Sequence, residues 1–241
     1  MDELLAGRRA LITGAAGGIG KAVADRFGQL GAGVVGADLS ATDGCIRLDV
    51  SDEGSVLAAF DAAERGGRLT DVVHCAGVVR FSPIRDLALD EWQRILDVNL
   101  TGSFLVGREA ARRLPSGGSL TFISSIGGLR SDARKAAYTA SKFGVTALTQ
   151  AIGREVIVDG IRVNAVCPGG VRTPMSDAMI EFEATRDGVS VGEKRAEHNS
   201  RVPRGQLAEP DEIANVCVFL ASELAAHVAC ASILVSGGEV V

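Results

Sequence analysis

The chain has 241 residues, 46% of them hydrophobic, with a formal net charge of -5 and a pI near 5.3. That length and apolar content suit one large domain spanning 1–241, and the acidic balance without a Lys/Arg stripe argues against a nucleic-acid partner. No apolar run approaches the ~18 residues of a membrane span, and Met1-Asp2-Glu3 is acidic where a secretory signal is basic, so we expect a cytoplasmic protein with no membrane association.

Residues 8–13 (RRALIT) form a short apolar run closed by glycines. Residues 21–30 then place Ala22, Val23, Phe27 and Leu30 at helical spacing, which reads as strand, tight loop and helix. Further apolar runs at 33–37, 46–48 and 72–74 end at Asp38, Asp49 and the Cys75-Ala76-Gly77 turn. Only ten residues separate Asp38 from Asp49, too few for a crossover helix, so that link is expected to be a loop or a single turn. Downstream the pattern predicts a helix over 89–114, a strand over 119–123 and a helix over 138–158. A strand over 161–166, a helix over 213–221 and a strand over 232–235 follow. Residues 168–210 are the least regular stretch and read as a mobile cap over a pocket, centred on 173–209.

Apolar strands alternating with helices define an α/β fold, a doubly wound Rossmann-type domain whose parallel sheet carries helices on both faces. Thr13-Gly14-Ala15-Ala16-Gly17-Gly18-Ile19-Gly20 lies between a strand and a helix, where bare backbone approaches a pyrophosphate at a helix N-terminus. Asp38 ends the second strand, where a carboxylate hydrogen-bonds ribose hydroxyls and repels a 2′-phosphate. Leu39, Ser40 and Ala41 bring no cation to neutralise such a phosphate, which favours NAD over NADP. A solvated acid at a strand end is the competing explanation for Asp38. The five cysteines (45, 75, 167, 217, 230) include no CxxC pair, and the three histidines (74, 198, 227) stand apart, so mostly buried thiols and no metal site are expected.

Tyr138 and Lys142 are separated by one helical turn and share a helix face. A fixed ammonium beside a phenol favours the phenolate and brings its proton exchange nearer neutrality.

The glycine loop, Cys75-Ala76-Gly77, Asn99, Ser125, Tyr138/Lys142 and Cys167-Pro168-Gly169 together resemble, in order and spacing, the short-chain dehydrogenase/reductase family, in its compact type with a seven-stranded sheet. The resemblance covers nearly the whole chain. It implies that Ser125 orients the substrate oxygen, Tyr138 is the acid/base, and Lys142 binds the nicotinamide ribose while lowering the Tyr138 pKa. Asn99 is implied to help position a proton-relaying water. Ser124 competes for the serine role, but Ser125 stands thirteen residues before Tyr138, the usual separation.

For the cofactor, the resemblance implies contacts from Gly14, Gly17, Gly18, Ile19, Gly20, Asp38 and Leu39, with Asp49 and Val50 at the adenine. Cys75, Ala76 and Gly77 would lie near the adenosine ribose, and Asn99, Tyr138 and Lys142 at the nicotinamide end. Pro168, Gly169, Val171 and Thr173 would run along the nicotinamide, Thr173 holding its carboxamide. The family often has Asn-Asn-Ala-Gly where this chain has His74-Cys75-Ala76-Gly77, and an Asp where Ser236 stands. The first change raises the question of how the central strands are tied; the second bears on C-terminal packing.

Ser125, Ile126, Gly170, Met175 and Met179, with Leu129 and Phe182 nearby, predict a largely apolar substrate pocket. The implied reaction interconverts a secondary alcohol, small and cyclic or aryl, with its ketone at the expense of NAD(H). Arg172, Arg186, Lys194 and Arg195 in the cap keep a 3-oxoacyl-thioester reductase as the alternative, and an NAD-sensing protein without catalysis is the alternative from another class. Family members are commonly homotetramers, with the helices beginning near Leu89 and Tyr138 as the natural contact faces.

Overall fold

The structure, a computed structural model, describes residues 3–42 and 44–239. Met1 and Asp2 of the acidic start and the last two residues of the 1–241 span lie outside the described residues. Seven parallel strands form one sheet: β1 (Arg9–Thr13), β2 (Gly33–Asp38), β3 (Ile46–Arg47), β4 (Asp71–His74), β5 (Ser119–Ile123), β6 (Arg162–Pro168) and β7 (Ser232–Val235). Their spatial order is β3-β2-β1-β4-β5-β6-β7. This is the Rossmann-type arrangement expected from the alternation of apolar runs and helices.

The strands are apolar on both faces because each face meets helices. Along β1, Leu11 points into one core while Ala10 and Ile12 point into the other, and on β4 Val72 and Val73 divide the same way. The first core is closed by α2 (Glu53–Glu64), α4 (Gly102–Arg113) and α5 (Ala136–Val156), which contribute Phe60, Val106 and Val145. The second is closed by α1 (Gly18–Gln29) and α8 (Pro210–Ala221), where Phe27 meets Ile213 and Cys217. Each such fully buried large side chain contributes about 1.5–3 kcal/mol.

Four helical features depart from the sequence expectations. Helix α2 fills the gap between 49 and 71; its start is set by Asp52, whose carboxylate accepts the Ser55 N–H at 2.9 Å. Residues 89–114 are not one helix: α3 (Leu89–Leu96) runs into a π turn at Asp97–Thr101 before α4 begins. Helix α5 starts two residues before Tyr138 and ends at Val156 in a single 3-10 turn. Most of the expected irregular cap is ordered as α6 (Pro174–Asp187) and α7 (Val191–Ser200). Both open on reciprocal capping boxes, Thr173 with Ser176 and Ser190 with Glu193, which satisfy amides that a loop would expose.

The described part of the short β2–β3 link carries no helix, in line with its length. Among the described residues no helix is long and apolar enough to cross a membrane. At β1 the chain order reverses: β2 lies on one side and β4 on the other. The crevice beyond the carboxyl ends at such a switch point is where an open parallel sheet binds ligands. The segments 14–20, 38–39, 49–50, 75–77, 124–126 and 168–173 all emerge at or just beyond strand C-termini, so the sheet gathers the expected site residues at one edge.

Candidate active site

The glycine loop is shaped by two different demands. Gly14 has φ +69°, and a Cβ there would lie 2.8 Å from the Ala76 backbone nitrogen; a Cβ on Gly20 would sit 2.1 Å from the Gly14 carbonyl oxygen. Those two glycines are required by the protein's own packing. Gly17 is extended, and a Cβ there would meet nothing within 4 Å. Gly17 is also the cap of α1, which has neither a side-chain cap nor an acid in its first turn. Open space in front of uncapped helix amides fits a dinucleotide pyrophosphate. Gly18, at φ +54°, faces the Thr173 methyl across the loop, and Ile19 lines the cavity described below.

Asp38 sits at the end of β2 and is already engaged: Oδ1 accepts from the Ser40 N–H and hydroxyl at 3.0 Å, and Oδ2 accepts from the Ala16 N–H at 3.2 Å. It thereby ties the glycine loop to β2. Leu39 beside it is exposed. Beyond β3, Asp49 accepts from the Ser51 N–H and hydroxyl, and Val50 is buried against Gly102.

The question raised by Cys75 is answered by Thr13. Its hydroxyl oxygen accepts the backbone N–H groups of Cys75 and Ala76 at 3.2 and 3.3 Å and meets His74 Nδ1 at 2.8 Å. The other ring nitrogen of His74, Nε2, is buried with no partner among the described residues, and burial takes the imidazole pKa down to about 3. Ser236 is likewise buried, under Gly169, where a Cβ would come within 3.1 Å of its Cα.

Ser125 follows β5, and its hydroxyl accepts the Gly127 N–H at 3.0 Å while hydrogen-bonding the Tyr138 side chain. A Cβ on Gly127 would stand 3.3 Å from the Tyr138 ring and 3.4 Å from Ser125 Oγ, so glycine permits their approach. Ser124 is turned away: its buried hydroxyl donates to the Lys142 carbonyl and contacts Thr146. Of the two serines, only Ser125 reaches the phenol.

Asn99 lies on the π turn and is fully committed. Its Oδ1 accepts the Val78 N–H at 2.8 Å, and its Nδ2 donates to the Val78 carbonyl and the Ser141 hydroxyl at 2.8 and 3.0 Å. It thus fastens the loop after β4 to α5.

Lys142 Nζ is buried and donates to the Ile123 carbonyl at 2.8 Å, 5.8 Å from the Tyr138 ring centre. Burial brings its pKa down to about 8. Tyr138 is pushed up by burial, against which the Ser125 hydrogen bond acts. The ammonium gives one of its three donors to Ile123, and the burial that lowers its pKa also disfavours the phenolate.

A cavity of about 760 Å³ opens at this edge. Ile19, Cys75, Gly77, Ser125, Ile126, Tyr138 and Lys142 line it from the sheet side. Pro168, Gly169, Gly170, Val171, Thr173, Met175 and Met179 line it from the cap side. The nucleotide-side positions Gly14, Gly17, Gly18, Gly20, Asp38, Leu39, Asp49, Val50 and Ala76 lie outside its lining, as does Asn99. Two expected pocket neighbours are corrected: Leu129 and Phe182 are 39% and 54% exposed and do not line it, because they face solvent. Of Arg172, Arg186, Lys194 and Arg195 only Arg186 lines the cavity; Arg172 pairs with Glu209, Arg195 with Asp177, and Lys194 with Asp187 and Glu197.

Sequence reasoning missed Arg134, Glu183, His198, Arg201 and Glu239, all lining residues. His198 Nε2 and Glu183 Oε2 meet at 2.7 Å between α7 and α6, and Glu239 accepts the Gly170 N–H at 3.1 Å. A polar residue at helical spacing within the cap was the available signal for the first pair. Nothing in the sequence points Glu239 inward.

A parallel sheet with a glycine loop at its switch point and a Ser/Tyr/Lys cluster on the adjoining strand and helix defines a nucleotide-dependent oxidoreductase fold. A family model described as Enoyl-(Acyl carrier protein) reductase matches residues 14–239. The chain is 36% identical to cis-4-hydroxycyclohexanecarboxylate dehydrogenase of Sinomonas cyclohexanicum, over 99% of this chain and 98% of that one. It is also 36% identical to (3R)-3-hydroxyacyl-CoA dehydrogenase of Mus musculus, over 95% of each. Among solved structures, ligand-free aldohexose dehydrogenase of Thermoplasma acidophilum superposes with a TM-score of 0.91 at 30% identity, covering 98% of this chain and 94% of that one. The chain belongs to the short-chain dehydrogenase/reductase family. It is an alcohol dehydrogenase/ketone reductase, and enzymes of this family use nicotinamide cofactors.

Proposed function

We propose that this enzyme interconverts a small cyclic or aryl secondary alcohol with its ketone, using NAD(H). The observation that carries the reading is the meeting of Ser125, Tyr138 and Lys142 in one cavity whose wall mixes apolar side chains with charged ones. Ser125 and Tyr138 hold the substrate oxygen between them, and Tyr138 takes the hydroxyl proton in oxidation and returns it in reduction. Lys142 binds the nicotinamide ribose, and Asn99 acts by positioning the loop around it. Bound nicotinamide supplies hydride acceptance and donation. Gly17 and the α1 amides receive its pyrophosphate, while Asp38, with no cation among Leu39, Ser40 and Ala41, selects NAD over NADP. The whole chain serves as one domain, α6 and α7 forming its substrate cap.

The Sinomonas relative, named for a ring alcohol, supports the cyclic substrate. A 3-oxoacyl-thioester reductase is the second reading, favoured by the mouse relative and by the basic residues at the cavity mouth. Phe104 on α4 and Phe143 on α5 are exposed, which supports a homotetramer covering those helices.

The test is a nicotinamide absorbance assay on cyclic and aryl secondary alcohols and their ketones, run with NAD(H) and NADP(H) in parallel. Turnover should prefer NAD(H), and Tyr138→Phe should lower it roughly a hundred- to ten-thousandfold while sparing NAD binding. Wild-type rates in that variant would sink the assignment.

A further inference from the structure

The mouth of the cavity is basic. Arg130, Arg134 and Lys135 line it on the loop leading into α5, and Arg186 and Arg201 face them from the cap. Most of these cations are neutralised locally. Arg130 and Lys135 share Asp132 at 3.9 and 3.3 Å, Arg186 forms a two-point pair with Asp187 at 2.6 and 2.8 Å, and Arg201 pairs with Glu197. Arg134 is different: its guanidinium has no side-chain hydrogen bond or ion pair among the described residues.

Its backbone is also unusual. Arg134 has φ +67°, a conformation that favours glycine, and is held there by the Ser82 N–H donating to its carbonyl at 3.0 Å. The same loop is pinned next door, where Lys135 Nζ lies 5.3 Å from the Phe81 ring centre. A long charged side chain kept at a strained, pinned position on a cavity wall is characteristic of a ligand clamp.

We propose that Arg134 binds a carboxylate carried by the substrate at the end remote from the reacting carbon, with Arg130 and Lys135 adding positive field. This rests on the alcohol–ketone reading above and names its substrate class. A guanidinium fork matches a carboxylate with two parallel hydrogen bonds, and this one has its donors unspent. Arg134 lies on the loop two residues before α5, which carries Tyr138 in its first turn. The cavity they share is also lined by Phe81, Ile126, Met175 and Met179. A substrate matching this wall has a hydroxyl at one end, an apolar ring in the middle and a carboxylate at the other.

The test titrates the full-length protein with cyclohexanecarboxylate and with cyclohexanecarboxamide, its neutral counterpart, by calorimetry. Neither probe carries a hydroxyl, so binding is read independently of turnover. The wild-type protein should bind the acid at least tenfold more tightly than the amide. Arg134→Gly, which suits the positive φ and should fold, should bind both alike; Arg134→Gln serves as the second variant. In the absorbance assay, Arg134→Gly should raise KM for 4-hydroxycyclohexanecarboxylate at least tenfold with little change in kcat, and leave the matching amide alone. Equal binding of acid and amide to wild-type protein, or a preference that survives in both variants, overturns the proposal. Loss of affinity for a 3-hydroxyacyl-CoA with the small acid untouched also overturns it, by assigning these cations to the thioester's phosphates. Acid-selective binding without turnover of any alcohol would instead leave the carboxylate site standing and defeat the catalytic reading.

Discussion

Lowering the pH from 7 to 5 should destabilise this protein through a single buried histidine. His74 is 2% exposed, and its pKa is held at about 3 against an ordinary 6.5. In the unfolded chain it takes up a proton as the pH falls through 6.5, whereas the folded chain does not until about pH 3. The unfolded state binds more protons throughout that window, so the stability associated with neutral His74 is full above pH 6.5 and is lost as the pH falls toward 3. With those two values the loss between pH 7 and pH 5 is about 2 kcal/mol, reaching about 4 kcal/mol by pH 3. Urea unfolding of the wild type and of His74→Asn at both pH values isolates this group. The space left by the smaller side chain costs the variant the same at each pH, and the remaining titrating groups are common to both proteins. The wild type should lose about 2 kcal/mol more than the variant on going to pH 5. Parallel losses in the two proteins would refute the assignment of a neutral, buried imidazole.

Two further outcomes follow from the nucleotide edge. Gly14→Ala places a side chain at φ +69° against the Ala76 backbone, which no rotamer relieves, and should lower stability by more than about 1–2 kcal/mol in thermal or urea melts. Gly17→Ala should melt within about 0.5 kcal/mol of wild type yet lose NAD affinity in a fluorescence titration, since no described protein atom lies within 4 Å of the added Cβ and the proposed pyrophosphate site does. Asp38→Asn removes the charge and keeps one of the two acceptor oxygens, so its amide nitrogen faces either the Ser40 or the Ala16 N–H. It should shift the kcat/KM ratio toward NADP(H) by roughly tenfold, about 1.4 kcal/mol, with a modest loss of melting temperature.

The sheet was legible because its strands are apolar on both faces and end at glycines or acids, a pattern that needs no tertiary information to read. The Tyr138/Lys142 spacing was legible for a similar reason: four residues on a helix is a local geometry. What escaped was non-local. The hydroxyl of Thr13 replaces a missing amide only because β1 pairs with β4 and brings His74 alongside it. Helices α6 and α7 are polar on most sides, so periodicity gave no signal, although Thr173-x-x-Ser176 with Pro174 and Ser190-x-x-Glu193 were readable starts. The break in the 89–114 helix lies at Asn99, whose side chain is claimed by Val78 and Ser141 from two other segments. Arg134 shows the limit most clearly, because neither its positive φ nor its lack of a partner can be read from the sequence.

The ionisation of the Ser125, Tyr138 and Lys142 cluster shows why the site depends on what fills it. Burial raises the phenol and lowers the ammonium only to about 8, so near pH 7 a neutral phenol stands beside a group that is still mostly charged. Proton transfer from an alcohol requires a phenolate beside a cation. Lys142 supplies the cation, with one donor on the Ile123 carbonyl, and the Ser125 hydrogen bond acts against the burial of Tyr138. An oxidised nicotinamide bound in this cavity would add its positive charge to that of Lys142, and an adjacent cation favours the phenolate. Burying Tyr138 and Lys142 on one helix face thus leaves the phenol's ionisation sensitive to the charge of whatever fills the cavity.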